Sequence, residues 1–574
     1  MELPEQWLPR SVTSLRNYSA RQFSHDLAAG ITVGLVALPL AMAFGIASGV
    51  TPQAGLYTAV IAGFLISALG GSRVQIGGPT GAFVVIVAGI VARFGIAGLS
   101  LVTLMAGILL VIMGVTGLGA AVKFIPRPVI IGFTNGIALL IASTQIKDFL
   151  GLKTGAVPSS FIPRMRVLAE NIGTVQWQTV AIAGATLGII LLWPRVKFLT
   201  LGRRIPGSIL AVLSCTAVAE LLHLHVETIG TKFGGLPQGL PPLTLPHLHA
   251  EHIEPLLASA FTVALLGAIE SLLSAVVADS MAGDRHNSNV ELVAQGIANI
   301  ASPLFGGIPA TGAIARTATN IRSGALTPIS GIVHAATLLV ILLAAAPLAR
   351  FIPLATLAAV LFVVAWNMGE WREIGGVLRL AKADIAVWAA TFLLTVVTDL
   401  TVAVGVGMAL AALLYIYRVA ETTTVAPVTE EYLRDGQAHI LQDKDIPPNV
   451  AILRIHGPFL FGTTQKLEEA TENLAALPAI VILRLRNMTA IDATGLHALE
   501  VFAERLRKTH RTLLLCGARD QPAELLASSE VVEQIGQENI LLNVDAALRR
   551  AREISGSFSG VGLEIAGDME FMKI

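Results

Sequence analysis

Apolar stretches separated by short polar loops run from Asp26 to Val419. They fall near 26–48, 55–70, 78–93, 96–119, 126–148, 177–194, 206–224, 255–278, 290–305, 310–323, 328–348, 352–368, 383–398 and 399–419. The pattern predicts fourteen membrane segments. Those near 78–93 and 310–323 are too short to cross a hydrocarbon core of ~30 Å as full helices. Hydropathy alone leaves open a reading with thirteen or fewer continuous spans. After Arg418 the pattern changes. "TTTVAPVTEEYLRDGQ" is polar and reads as a linker. From Asn449 strand and helix patterns alternate: "VAILRIHG" and "AIVILRLRNM" as strands, "TTQKLEEATENLAAL" and "ATGLHALEVFAERLRKT" as helices, "TLLLCG" as a strand. That predicts a small α/β domain of roughly 100 residues. The expected division is a cytoplasmic segment 1–25, a membrane domain 26–421, a linker 422–448, the α/β domain 449–553 and a loose tail 554–574.

Composition supports a membrane protein. Of 574 residues, 54% are hydrophobic and 14% charged, and the mean hydropathy is +0.72. Soluble globules carry about 25% charged residues. Net charge is zero, which points to no nucleic-acid partner. The two cysteines, Cys215 and Cys516, imply neither a disulfide framework nor a metal site. Arg10, Arg16 and Arg21 precede the first span without a signal-peptide core. Arg73, Lys123, Arg127, Arg195, Lys197, Arg203, Arg204, Arg285, Arg372, Arg379 and Lys382 share one side if the N-terminus is inside. The positive-inside rule then predicts that both termini are cytoplasmic.

The two short segments open on one phrase. "QIGGPTGAF" begins at Gln75 and "FGGIPATGAIAR" at Phe305, about 230 residues later. "KFIPRP" at Lys123 follows the first by about 45 residues and "RFIPLA" at Arg350 the second by about 42. Seven segments per half make an odd repeat, so the second copy is inverted. Two interrupted helices are then expected to aim their N-termini at one mid-membrane cavity, an anion site made of free N–H groups. Irregular backbone at that depth must line a cavity or be packed in protein. A simple kink at Gly and Pro is the alternative.

Charges inside the spans are few. Glu270 lies mid-span in "FTVALLGAIESLLSAVVAD", where an ionisable group costs roughly 2.5–3.5 kcal/mol and usually faces a cavity. Ser274 is one turn further on the same face. A carboxylate with a hydroxyl suits a proton or sodium site; a neutral buried Glu with a packing role is the other reading. Arg316, just inside the second short segment, would complement an anion, or else pair with Glu270 or snorkel to the surface. Phe44 and Phe83 are candidate cavity walls or plain core. Asp279, Asp284, Arg285 and His286 read as a solvated inner loop. "HLHAEH" places His247, His249 and His252 in an outer loop, a weak metal pattern. No Gly-Lys-Ser/Thr phosphate loop supports ATP-driven pumping.

"DRHNSNVELVAQGIANIASPLFGGIPATGAIARTATNIRSGALTPISG" resembles the signature region of the SulP family, the sulfate permease or solute-carrier-26 anion transporters. "ALPLAMAFGIASGVTPQAGLYTAVIAGFLISALGGS" is similar to that family's first two spans, and "NMTAIDATGLHALE" to the core of a STAS domain. "AIESLLSAVV", "QIKDFLGL" and "VAWNMGEW" resemble the bacterial DauA-like members, which transport C4-dicarboxylates. The resemblance implies an all-α polytopic membrane domain of fourteen segments in 7+7 inverted repeats, plus a small α/β STAS domain. Spans 1–4 and 8–11 form a moving core against a gate of spans 5–7 and 12–14. It implies a substrate pocket at Phe44, Thr80, Gly81, Ala82, Phe83, Gly312, Ala313, Ile314, Ala315 and Arg316, and a coupling-ion site at Glu270 with Ser274.

Two departures from the family pattern refine these expectations. Sodium-coupled bicarbonate relatives resemble this chain but carry Asp in span 8 and a hydroxyl in span 10. Glu270 and Ile314 stand here, which favours a proton. In the STAS motif Asp492, Ala493, Thr494, Gly495, the residue after Asp492 is Ala493 rather than a phosphorylatable Ser, so the domain is expected to serve assembly or docking, with acyl carrier protein as one partner. The expected activity is proton-coupled symport of a small oxyanion (C4-dicarboxylate, sulfate or bicarbonate) by an elevator-like motion, in a homodimer of the bacterial inner membrane, without enzyme activity, cofactor or nucleic acid. The alternatives are a sodium-coupled bicarbonate symporter, an uncoupled exchanger or channel, and a STAS-based membrane scaffold. Nucleobase permeases share the inverted-repeat design, but the STAS domain and Arg316 argue against them.

Overall fold

The computed structural model describes residues 7–16, 18–119, 126–195, 206–237, 239, 243, 253–398, 400–427, 446–471 and 477–556. The chain divides into two compact units, Met1–Ala411 and Ala412–Ile574. Lys123, Lys197, Arg203, Arg204, the three loop histidines and the expected tail beyond 556 lie outside the described residues.

The first unit is helical apart from one short ladder. Its first half holds α1 (Arg10–Leu15), α2 (Ala20–Ala47), α3 (Pro52–Leu69), β1 (Gly77–Gly78), α4 (Gly81–Val115), α5 (Arg127–Leu150), α6 (Phe161–Glu170), α7 (Trp177–Leu192) and α8 (Gly207–Leu221). After the short α9 (Ile229–Phe233), the second half holds α10 (Ile253–Ala282), α11 (Ser288–Leu304), β2 (Thr311–Gly312), α12 (Ile314–Arg322), α13 (Ile329–Ala345), α14 (Leu354–Met368), α15 (Trp371–Val377), α16 (Lys382–Val397) and the start of α17 (Leu400–Thr422), which continues into the second unit. Each of the fourteen expected segments meets a helix. Among the described residues, seven helices are long and apolar enough to cross a membrane by length and composition. α4 supplies two segments, because Gly95 at φ 68° breaks it; that left-handed conformation is open to glycine at little cost.

Small residues let these helices approach closely. α2 buries Ala29, Val33, Ala37 and Ala41 completely. On α3, a Cβ at Gly55 would stand 1.9 Å from the Ala41 carbonyl oxygen of α2. Across the repeat, a Cβ at Gly107 of α4 would stand 2.7 Å from the Gly296 oxygen of α11, and one at Gly296 2.6 Å from the Gly107 oxygen.

Two buried carboxylates pin the loop that leads into the first short segment and the loop that leaves the second. Asp26 on α2 accepts from the Leu326 and Thr327 N–H groups (2.7 and 3.0 Å) and from the Thr327 hydroxyl (2.5 Å). The Tyr18 hydroxyl also donates to it at 3.0 Å. Burial and that carboxylate push the Tyr18 phenol up to about 12. Glu291 on α11 accepts from the Gly71 and Ser72 N–H groups (2.9 and 3.2 Å) and from Gln295 (2.9 Å). Buried carboxylates persist because every oxygen is paired.

In the second unit a five-stranded sheet runs β3 (Thr424–Pro427), β4 (Val450–Phe459), β5 (Ile480–Ile491), β6 (Thr512–Cys516), β7 (Ile540–Leu541). β3 is antiparallel to β4; the other pairs are parallel. Alternate residues face opposite cores. Leu453, Ile455, Val481, Leu483, Leu513 and Leu515 pack with helix Ala493–Lys508, while Ile452, Ile480, Ile482 and Leu514 pack with helix 544–556. Burial on both faces explains the unbroken apolar runs of the sequence. The expected linker begins instead as β3, since backbone pairing with β4 satisfies "TVAP"; 428–445 lie outside the described residues.

Candidate functional site

The two repeated phrases meet each other. Gly77 pairs with Gly312 and Gly78 with Thr311 in an antiparallel ladder, and the Ala313 N–H donates to the Ile76 carbonyl at 2.8 Å. This ladder, unforeseen in the sequence, replaces the expected start of each short helix. α4 begins only after its cap residue Thr80, and α12 after its cap residue Ala313. Neither cap side chain bonds its own first turn, so both helices keep open N–H groups of positive partial charge. At 1.5 Å per residue, α12 with 9 residues is about 14 Å long, far short of a span.

Glu270 and Arg316 join the ladder from different elements. Thr80 donates its hydroxyl to Glu270 Oε2 at 2.9 Å, tying the cap of α4 to the middle of α10. Glu270 is half-buried. Arg316, 3% exposed, reaches across the ladder and donates through Nη2 to the Pro79 carbonyl. A Cβ at Gly78 would stand 2.7 Å from Arg316 Nη1, so glycine is required for the guanidinium to lie there. Arg316 and Glu270 do not form an ion pair within 4 Å; the arginine is held by backbone instead.

Other expected residues are placed differently. Ser274 turns from Glu270 to Thr317, 3.2 Å hydroxyl to hydroxyl, and Thr317 in turn accepts from the Ile76 N–H at 3.0 Å. The hydroxyl partner of Glu270 is therefore Thr80, because α12 crosses α10 on the Ser274 side. Phe83 is 1% exposed and faces Gly267 of α10, as core rather than an open wall. Phe44 is buried beside Gly81. Ala82 and Ala313 are buried, whereas Ile314 and Ala315 are exposed. Cavities of about 440 and 100 Å³ lie elsewhere, the larger between the ends of α5, α7 and α14 and the smaller along the later half of the first α4 segment.

The ladder has supports that sequence reasoning missed. Asn299 holds the Ala310 backbone with both amide atoms, at 2.9 and 2.8 Å. Ser271 meets the Thr311 hydroxyl at 2.6 Å and the Gly312 N–H at 3.2 Å. Thr58 accepts from the Ile308 N–H at 2.7 Å. The available signal was a lone amide or hydroxyl within an apolar run, as in "GIANIAS".

In the second unit Asp492 caps helix Ala493–Lys508. It accepts from the Gly495 N–H at 2.8 Å and the Phe461 N–H at 2.9 Å. Ala493 and Thr494 are exposed at that first turn, and Gly495 is buried.

The model of the sulfate permease family matches residues 23–391, and that of the STAS domain residues 442–547. The chain belongs to the sulfate permease family. Among its relatives, YvdB of Bacillus subtilis (strain 168), provisionally named a sulfate transporter, is 43% identical over 526 residues, 91% of this chain and 97% of that one. The bicarbonate transporter BicA of Synechocystis is 32% identical over 545 residues, 92% of this chain and 94% of that one. The solved structure of SLC26A9 is 17% identical and covers 97% of this chain and 94% of its own, with a TM-score of 0.84; it shows the shared fold. In this member of the family, then, α2, α3, both parts of α4 and α10–α13 make the core, and α5, α7, α8, α14, α16 and α17 the gate.

Proposed function

We propose that this multi-pass membrane protein is a secondary active anion transporter that takes up a small oxyanion together with a proton. One observation carries the reading: a single ladder joins two uncapped helix N-termini, and both Arg316 and the Glu270–Thr80 pair converge on it. Oxyanion oxygens would accept from the first-turn N–H groups of α4 and α12, with Arg316 supplying a full positive charge. An ionised Glu270 holds Thr80 and repels an arriving anion. A protonated Glu270 loses that charge, so anion and proton are carried together. The core then moves against the gate as an elevator. Both termini would be cytoplasmic, in a homodimer of the bacterial inner membrane. The STAS unit, with Ala493 at the switch position, would dock a cytosolic partner such as acyl carrier protein.

The relatives' names supply sulfate and bicarbonate as first substrates, and succinate represents the dicarboxylates. Uptake of each, radiolabelled, into proteoliposomes under imposed pH or sodium gradients tests the reading. Accumulation driven by pH in the wild type and lost in Glu270→Gln is expected. Accumulation driven by sodium alone, or unchanged in Glu270→Gln, would remove the proton from the mechanism. Equilibration without accumulation would make the protein a channel or exchanger.

A further inference from the structure

His334 lies in α13 with none of its surface exposed. Neither ring nitrogen makes a hydrogen bond among the described residues; the ring lies beside its own Gly331 carbonyl without meeting bonding geometry. A neutral imidazole brings one donor and one acceptor into the interior, and buried polar groups almost always find partners.

The surroundings of the ring are specific. It lies against Gly63 of α3, where a Cβ would stand 3.5 Å from Cε1, 3.7 Å from Nδ1 and 3.1 Å from the Gly77 carbonyl oxygen. His334 is thus next to β1. The following residue, Gly78, is the one against which Arg316 Nη1 lies. Arg316 Nη1 is also buried without a hydrogen-bond partner. A third orphan is the Ser67 hydroxyl, one turn beyond Gly63 on the same face of α3; it lies 2.1 Å from where a Cβ of Gly331 would be, one turn before His334. Three buried, unpartnered polar groups from α3, α12 and α13 therefore flank one strand. α3 and α13 carry no charged residue that could serve them. The small residues here, Gly63 and Gly331, let α3, β1 and α13 approach closely, which brings these groups together.

We propose that His334, Ser67 and Arg316 Nη1 hold an internal water site behind β1, and that His334 is through it a positioning residue for the anion-binding arginine. A water there accepts from Nη1–H and donates to the acceptor nitrogen of the imidazole, giving it the two or more partners an internal water needs. Nη2 is already anchored on the Pro79 carbonyl. A second anchor through water fixes the plane of the guanidinium, whose five donors have a rigid fork geometry. Without it the side chain keeps its charge but loses its orientation, and oxyanion recognition depends on orientation. The role of Arg316 in anion binding is taken from the function proposed above; the water site does not depend on it.

The test uses the full chain in proteoliposomes, with radiolabelled sulfate and bicarbonate as probes. His334→Phe fills the space but removes both nitrogens, and is expected to raise KM about tenfold while kcat stays within about twofold, the size of one lost charged hydrogen bond. His334→Gln keeps a donor and an acceptor and is expected to stay near wild type. In an Arg316→Ala background, His334→Phe is expected to add nothing. A wild-type KM for His334→Phe, equal losses in Phe and Gln variants, or full additivity with Arg316→Ala would overturn the positioning role. If His334→Phe fails to fold, a cryo-EM map of the wild type that resolves ordered waters decides the site. Density within hydrogen-bond distance of both the His334 ring and Arg316 Nη1 supports it, and its absence in a map showing other internal waters overturns it. Should Arg316→Ala itself keep a wild-type KM, it is the anion role of Arg316 that fails, and the density alone then judges the water site.

Discussion

In the first copy of the repeat, β1 leads through Pro79 into α4, and the cap residue Thr80 gives its hydroxyl to Glu270. In the second copy, β2 leads into α12, whose third residue Arg316 reaches back to the Pro79 carbonyl. The backbone is duplicated and the chemistry is divided. One helix start carries only a neutral hydroxyl, hooked to a carboxylate; the other carries a full cation. Duplication builds two converging N–H clusters, which suit any anion. In the function proposed above, the departures from duplication let charge and proton be handled separately. Identical copies would have placed two cations, or two carboxylates, against each other across the ladder.

The severest way to break this arrangement is to separate the copies. Gly312→Val puts a side chain where a Cβ would already stand 1.7 Å from Gln75 Nε2 and 3.2 Å from the Ser271 Cα. A loss of about 3 kcal/mol is expected from overpacking, read as a lower Tm, with uptake undetectable. Gly77→Val, the matching change in the first copy, meets the flexible Ile66 side chain first and should cost less. Next comes the charge. Arg316→Ala should raise KM by roughly 10–100-fold, the worth of a hydrogen bond to a charged group, while the Tm shifts little. Glu270→Gln should leave downhill uptake within a few-fold of wild type and abolish accumulation driven by a pH gradient. If both variants lose downhill uptake alike, the division of labour between the copies is wrong. Thr80→Val removes one neutral donor, worth about 0.5–1.5 kcal/mol, and a two- to ten-fold change in transport is expected. That change should vanish in a Glu270→Gln background if the Thr80 hydroxyl acts through the carboxylate. The smallest effect belongs to the other unit. Asp492→Ala should cost about 1 kcal/mol of local stability by loss of a helix cap, seen by hydrogen exchange, with uptake by the membrane unit unchanged.

Much of this was legible in the chain. The fourteen segments, the break near residue 95 and the two short spans follow from hydropathy and glycine. The repeated phrase marked the strands that pair. Arg316 and Glu270 stood out because charges in apolar spans are rare. Other features were hidden. Ser274 sits one helical turn from Glu270 and was expected to partner it, yet Thr317 takes it, from a helix more than 40 residues away in sequence. Thr80, 190 residues from Glu270, takes the vacant role. Phe83 read as either a cavity wall or plain core, and it is packed as core. Asn299, Ser271 and His334 are isolated polar residues in apolar helices, and nothing local says which backbone the first two serve or that His334 has no hydrogen-bond partner among the described residues.

Sequence by itself determined the segments, the doubling and the inventory of charges, because these follow from local transfer energies and from repetition along the chain. Only the tertiary structure decided that the two phrases hydrogen-bond to each other, that Thr80 rather than Ser274 meets Glu270, and that Arg316 is held by the Pro79 carbonyl rather than by an ion pair. The physical reason is that directional hydrogen bonds form between groups within about 3 Å. Which groups come that close is set by how helices from the two halves pack, a relation that no window of sequence contains.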